Sequence, residues 1–315
     1  EIDFMNILFV GIGSIAKKHI AALKHLGVEA TLYALRSSRQ SEPYPGVVDI
    51  YSYDELSQFH LDFIIISNPT SEHAATIRRL MHFQVPLFIE KPLFADCKHD
   101  DIVAYIKQHR ILTYVACDMR FLDALRFVHD YVDARYDQLK INEVNVYCGS
   151  YLPAWRPGID YRTCYSAIPE LGGGVHIDLI HDIDYVYWIF GQPSNSYAIW
   201  RNVSSLGIRA YDYANYNLEY PTFCVNIVLN YYRCDAKRTM EIIFDDCTWT
   251  LDMLKNQVTD HKGKVVFQSE QQGSETYVAQ MAYFLSLLKK KQTMSFNSSE
   301  EAYQVLNICL KNERC

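Results

Sequence analysis

Two glycines one residue apart, in Gly11-Ile12-Gly13-Ser14-Ile15-Ala16, divide an apolar run, Met5–Val10, from a helical pattern over Ala16–Leu26 that stops at Gly27. A GxGxxA turn between a strand and a helix narrows the choice of folds sharply. Gly11 permits the tight turn, Gly13 lets a pyrophosphate approach the backbone, and the small Ala16 lets helix and strand pack closely. The anion then rests on the helix N-terminus, where Ser14 and Ile15 offer backbone N–H groups.

The strand-helix alternation continues. A second strand is expected over Glu29–Leu35, a third over Asp62–Ser67 and a fourth over Val85–Ile89. Helices follow at Ser71–Phe83 and Asp96–Arg110, and a strand at Leu112–Cys117. Repeated units with short connections favour a doubly wound parallel sheet, here residues 1–120. The second strand ends in Arg36-Ser37-Ser38-Arg39, with no acid to accept bonds from a ribose 2′-hydroxyl. Two arginines flanking two hydroxyls suit a 2′-phosphate, so NADP is preferred, with NAD as the other cofactor considered. The turn Ser67-Asn68-Pro69, with His73 behind it, falls on the same sheet edge and should border the cofactor.

Glu90-Lys91-Pro92 closes the Val85–Ile89 run. An ionisable pair at the C-terminal mouth of a buried parallel strand lies where open α/β sheets bind ligands.

Composition is consistent with a soluble globular protein: 49% of the 315 residues are apolar and 21% charged. A net charge of −7 argues against a nucleic-acid surface. The nine cysteines (97, 117, 148, 164, 224, 234, 247, 309, 315) show no CxxC pair or metal-like spacing, which fits reduced thiols in a cytoplasmic protein and no metal site. No run reaches the ~18 apolar residues of a membrane span, and Phe4–Ile15 reads as a first strand rather than a signal peptide.

From residue 121 the texture changes. After a helix to about Asp133, strands are expected over Asn142–Ser150, Ser196–Val203, Ala210–Glu219, Thr222–Tyr231, Thr239–Phe244, Thr248–Leu251 and Lys264–Gln268. Their apolar-polar alternation suits a mostly antiparallel sheet with one covered face. Many of the 24 tyrosines fall here, so the open face is a candidate subunit interface for a homodimer or homotetramer. Helices at Ser274–Lys291 and Ser298–Lys311 close the chain. The expected plan is therefore an N-terminal Rossmann domain, 1–120, and an α+β domain, 121–315, whose last helix could return to the first.

Between Tyr151 and Gly173 no periodicity is evident, and loops of that length inside a domain are usually functional. Trp155, Arg156, Tyr161, Arg162 and Tyr165 could give a sugar or nicotinamide flat apolar faces and forked donors, or Trp155 could simply pin the loop. The following Gly172-Gly173-Gly174 opens a helical pattern in which Asp178 and His181 are three apart and share a face. A carboxylate beside an imidazole is the pair expected where a hydroxyl loses a proton as its carbon loses hydride.

These landmarks occur in an order that resembles the Gfo/Idh/MocA family of oxidoreductases across essentially the whole chain. They are GxGxxA at Gly11–Ala16, Asn68-Pro69 with His73, Glu90-Lys91-Pro92, Arg120-Phe121, and GGG followed by acid and His. The resemblance implies a Rossmann domain and a second α/β domain built on a large open sheet, with a sugar, sugar nucleotide or cyclitol as substrate. It makes Lys91 the group that hydrogen-bonds the reacting hydroxyl, Asp178 the helix carboxylate, His181 the general acid/base and Pro92 an often cis proline. Glu90 and Arg120 join the expected cofactor contacts, and Arg120 the substrate contacts as well. In the commonest family pattern acid and His are four apart with a glycine between. Here they are three apart, Ile180 stands near the glycine's place and Asp182 holds the fourth position. The run Trp155-Arg156-Pro157, Asp160-Tyr161-Arg162, Tyr165-Ser166, Leu171-Gly172-Gly173-Gly174 and Asp178-Leu179-Ile180-His181 instead resembles a branch associated with bacterial surface-sugar clusters. The function implied is hydride transfer between NAD(P) and a hydroxyl-bearing carbon. Two rivals are a non-catalytic dinucleotide- and sugar-binding regulator, and an enzyme oxidising its sugar transiently to allow elimination or glycoside cleavage.

Overall fold

The computed structural model describes residues 4–311, which form two compact units. The first runs to Asp118 and takes in Gly273–Gln304; the second runs from Met119 to Gln272 and resumes at Val305. Residues 273–304 thus belong with the first unit, a return that a single cut at 120 does not describe.

The first unit contains β1 (Met5–Val10), α1 (Ser14–His25), β2 (Ala30–Leu35), β3 (Val47–Ile50), β4 (Phe63–Ile66), α2 (Thr70–Leu80), β5 (Leu87–Ile89), α3 (Asp100–Gln108) and β6 (Thr113–Val115). The strands form one parallel sheet in the order β3-β2-β1-β4-β5-β6. Phe63, Ile64, Ile65 and Ile66 are all fully buried, as a strand covered on both faces must be, which is why these runs read as continuous rather than alternating. The order reverses between β1 and β4, the switch point at which such sheets bind ligands. Strand β3 was missed from sequence: it is a four-residue edge strand behind a proline- and glycine-rich turn.

The second unit contains α4 (Asp123–Asp133), β7 (Ile141–Tyr151), α5 (Val175–Asp178), α6 (His181–Phe190), β8 (Asn195–Arg201), β9 (Tyr213–Glu219), β10 (Cys224–Asn230), β11 (Tyr232–Phe244), β12 (Thr248–Asp252), β13 (Gln257–Asp260) and β14 (Val265–Gln268). Its eight strands run β14-β13-β12-β11-β7-β10-β9-β8, every pair antiparallel except β7 with β10. Along β9, buried Ala214, Tyr216 and Leu218 alternate with more exposed residues, as a one-sided sheet requires. The polar β13 carried no apolar alternation to betray it. Strand β11 starts seven residues earlier than expected, because an irregularity between Tyr232 and Lys237 lets an exposed, charged stretch stay paired with β7.

Helix α7 (Glu275–Lys289) returns to the first unit, where Phe284 meets Phe63 and Phe88 edge-on at 5.3 and 5.4 Å. Helix α8 (Ser299–Cys309) follows it. Among the described residues no helix is long and apolar enough to cross a membrane. The eight cysteines among them are free thiols; Cys315 lies outside.

Candidate active site

In the first unit the expected cofactor residues gather at the carboxyl ends of adjacent strands. Gly11 follows β1 with φ +84°, and a Cβ there would stand 3.1 Å from Asn68 Cα and 3.3 Å from the Ser67 carbonyl oxygen. Only glycine permits both the turn and this approach. Ser67 Oγ donates to the Gly11 carbonyl at 3.0 Å, tying the two turns together. At Gly13, by contrast, a Cβ would meet nothing within 4 Å, and no side chain caps α1. Open space above uncapped N–H groups, with no acid in the first turn, fits a pyrophosphate. Ala16 is fully buried, as close helix–strand packing needs.

At the tip of β2, Arg36 donates to Asp49 Oδ1 at 3.3 Å and to the Glu42 carbonyl at 3.1 Å, and only 10% of its side chain is exposed. Arg39 lies over the Tyr51 ring at 4.5 Å, while Ser37 and Ser38 are exposed. The two guanidiniums flank the two hydroxyls, with Arg36 already paired with an acid and Arg39 with a ring.

Pro69 stands at the start of α2, just after Asn68. His73 does not present its ring to a cofactor: the residue is 1% exposed. Its Nδ1 meets the carbonyl oxygens of Pro92 and Leu93 at 3.1 and 3.2 Å, and its Nε2 that of Asn68 at 3.0 Å. Burial pushes its pKa down, against the pull of these carbonyls and of Glu90. Glu90 is likewise engaged, since fully buried His19 on α1 donates from Nε2 to its Oε1 at 2.5 Å. His19 was not singled out from sequence. Its position three residues past Ala16 was the available signal, but a helix histidine carries no mark of its partner. Between these two tethers stands half-buried Lys91, at the end of β5, and the Lys91–Pro92 bond is cis, as the resemblance implied.

In the second unit Asp178 and His181 do not share one continuous helix. Asp178 ends the four-residue α5, Leu179 and Ile180 form a turn, and His181 opens α6. The 3.6-residue period therefore does not carry across them. Asp178 accepts from three hydroxyls: Tyr165 on Oδ1 at 3.1 Å, and Ser166 and Tyr231 on Oδ2, each at 2.8 Å. Burial, then the carboxylate itself, raises the phenol pKa values of Tyr165 and Tyr231, so both stay donors. Ser166 and Tyr231 were missed because they meet Asp178 only through tertiary structure. Asp182 is fully buried against Arg238, with contacts of 2.6 and 3.2 Å, and accepts from Tyr185.

The loop before α5 is a series of short 3₁₀ turns rather than an irregular strap. Trp155 Nε1 donates to Ser150 Oγ at 3.0 Å and its ring stands edge-on to Tyr231, which is the pinning role considered above. Arg156 is exposed, Tyr161 donates to the Leu206 carbonyl, and Arg162 lies over the Tyr161 ring. Arg120 departs most from expectation as a ligand contact. Its side chain is fully buried, with Nε and Nη2 on the two oxygens of Asp184 at 2.8 and 2.7 Å, so it is part of this unit's interior.

Residues 5–115 match the family model described as oxidoreductase family, NAD-binding Rossmann fold (GFO_IDH_MocA). No curated protein matches by sequence. Among solved structures, UDP-N-acetylglucosamine 3-dehydrogenase GnnA from Acidithiobacillus ferrooxidans is similar at a TM-score of 0.76 and 17% identity, over 98% of this chain and 96% of that one. Levoglucosan dehydrogenase, in complex with NADH and levoglucosan, reaches 0.82 at 13% identity, over 98% and 95%. The WlbA dehydrogenase from Bordetella pertussis, in complex with NADH and UDP-GlcNAcA, reaches 0.79 at 17%, over 98% and 95%. These likenesses establish the fold. Residues 5–115 thus carry an NAD-binding Rossmann fold of the kind found in the Gfo/Idh/MocA oxidoreductases, and the fold of the whole chain is that of these dehydrogenases.

Proposed function

We propose that the protein is a dehydrogenase that exchanges hydride between a nicotinamide dinucleotide, NADP by preference, and a CH–OH carbon of a sugar, sugar nucleotide or cyclitol. The observation that carries this reading is the placement of Lys91 at the end of β5, on the same sheet edge as Asn68 after β4 and Gly11 after β1. Relatives named for action on UDP-N-acetylglucosamine and levoglucosan support the substrate class.

The dinucleotide, when bound, supplies the hydride donor or acceptor. The N–H groups after Gly13 hold its pyrophosphate, and Arg36, Ser37, Ser38 and Arg39 its 2′-phosphate. Lys91 hydrogen-bonds the reacting hydroxyl and holds or takes its proton, and His181 is the second proton carrier. Asp178, held by the hydroxyls of Tyr165, Ser166 and Tyr231, is the fixed carboxylate of the substrate side. Arg156 and Arg162 line the substrate's approach, on the loop that Trp155 pins. Outward-facing Tyr197 and Ile199 on β8 belong to the face we assign to self-association.

The test is a screen of sugars and sugar nucleotides at the reduced-nicotinamide absorbance band, repeated with Lys91→Ala. The variant should lose roughly 100-fold or more in kcat and keep its NADPH affinity. Turnover equal to that of the parent defeats the reading.

A further inference from the structure

Lys91 has an anchored neighbour on each side. Behind it, Glu90 Oε1 receives His19 Nε2 at 2.5 Å from α1. Ahead of it, the carbonyls of Pro92 and Leu93 lie 3.1 and 3.2 Å from His73 Nδ1 on α2. Both rings are buried, at 0% and 1% exposure, and His19 is further wedged against Phe88 at 4.8 Å. The two helices start from the turns after β1 and β4, so each tether runs from the wall of the glycine cradle to the segment that carries Lys91.

We propose that His19 and His73 are positioning residues, a pair of imidazole tethers that fix the Lys91 amine relative to the dinucleotide cradle. The proposal rests on the reading of Lys91 as the proton-handling group. A residue that must meet a reacting hydroxyl needs its backbone held on both sides, because an error of an ångström at the amine costs much of the benefit of orientation. A lysine has four rotatable bonds beyond its backbone, so a mobile segment would multiply that error. Burial makes both tethers firm, since releasing either would strand polar atoms away from water.

The two nitrogens of His73 do different things, and this separates positioning from mere packing. Nδ1 faces the carbonyls of Pro92 and Leu93 and Nε2 that of Asn68; a neutral imidazole has one N–H, and we assign it to Nδ1, which donates to the Lys91 segment. An asparagine amide can stand in for Nδ1 and a glutamine amide for Nε2. His73→Asn should therefore keep the tether to Pro92 and Leu93, and His73→Gln should lose it. Likewise His19→Gln should keep the bond to Glu90, and His19→Leu should lose it.

The experiment is reductive ¹³C-methylation of the full chain without cofactor, with NMR of the dimethyl-lysine signals and the Lys91 signal assigned by its loss in Lys91→Arg. The signal should coincide with wild type in His73→Asn and His19→Gln, and be displaced in His73→Gln and His19→Leu. Identical displacement by both His73 variants, or none in His73→Gln and His19→Leu, overturns the proposal. Should the His73 variants fail to fold, the His19 pair decides alone. Because the readout is the amine itself, an active Lys91→Ala enzyme would reject the proton-handling role and leave the positional result standing.

Discussion

Gly173 packs directly beneath Tyr165: a Cβ at Gly173 would lie 2.1 Å from the Tyr165 carbonyl oxygen. The turn that this contact seats is the one presenting the hydroxyls of Tyr165 and Ser166 to Asp178. Gly173→Ala must therefore push the turn away from α5. The expected cost is about 1–3 kcal/mol of stability, read by thermal unfolding, with a fall in turnover larger than that of Gly158→Ala on the exposed part of the same loop.

Arg120 and Asp184 form a fully buried bidentate pair, so removing one charge leaves the other stranded. Asp184→Asn and Arg120→Met should each cost about 3–5 kcal/mol in urea unfolding, and the double replacement with Asp184→Leu should cost less than the sum. NADPH affinity per folded molecule should hold in all three. A selective loss of affinity would return Arg120 to the ligand.

His176 is tilted against Trp200 and stands edge-on to Tyr211, and burial lowers its pKa to about 4 despite the opposing pull of Asp178. The unfolded chain, with a histidine near 6.5, binds the proton first. The stabilisation is whole above about pH 6.5 and is lost as the pH falls to about 4, some ~3 kcal/mol in all. His176→Phe should flatten the acid limb of a plot of urea midpoint against pH. His73, lowered in the same direction, leaves a residual slope.

Arg36 should decide between the two nicotinamide cofactors. Arg36→Asp removes a charge-assisted donor and places a carboxylate where the 2′-phosphate is proposed, so NADPH binding should weaken about 10–100-fold more than NADH binding. Fluorescence titration of both cofactors measures this, and equal losses reject the phosphate cradle.

The first unit was legible because its information is local. The doubly covered strands of β1 and β4 are unbroken apolar runs, and the glycine turn lies between two periodic segments, so the parallel sheet and the edge carrying its turns followed from the sequence, though edge strand β3 did not. The candidate site was legible only where one segment carries it, as in Glu90-Lys91-Pro92. Asp178 and His181 appeared to share a face because a three-residue interval means adjacency on an unbroken helix, and the turn at Leu179 and Ile180 has no glycine or proline to announce it. The donors around Asp178 come from residues 12, 13 and 53 positions away. Arg120 exposes the same limit: an arginine beside a predicted cleft reads as a ligand group until the acid 64 residues on is seen against it.

The return of α7 has a consequence for biosynthesis. Phe284 covers Phe63 and Phe88, so a nascent chain that has released only residues 1–118 leaves those rings open to water and to other chains. The eight-stranded sheet is translated in full before that cover emerges. The nucleotide-binding half of the polypeptide, although made first, is finished last, and a stop codon placed after residue 272 should yield an aggregating product instead of a free-standing Rossmann module.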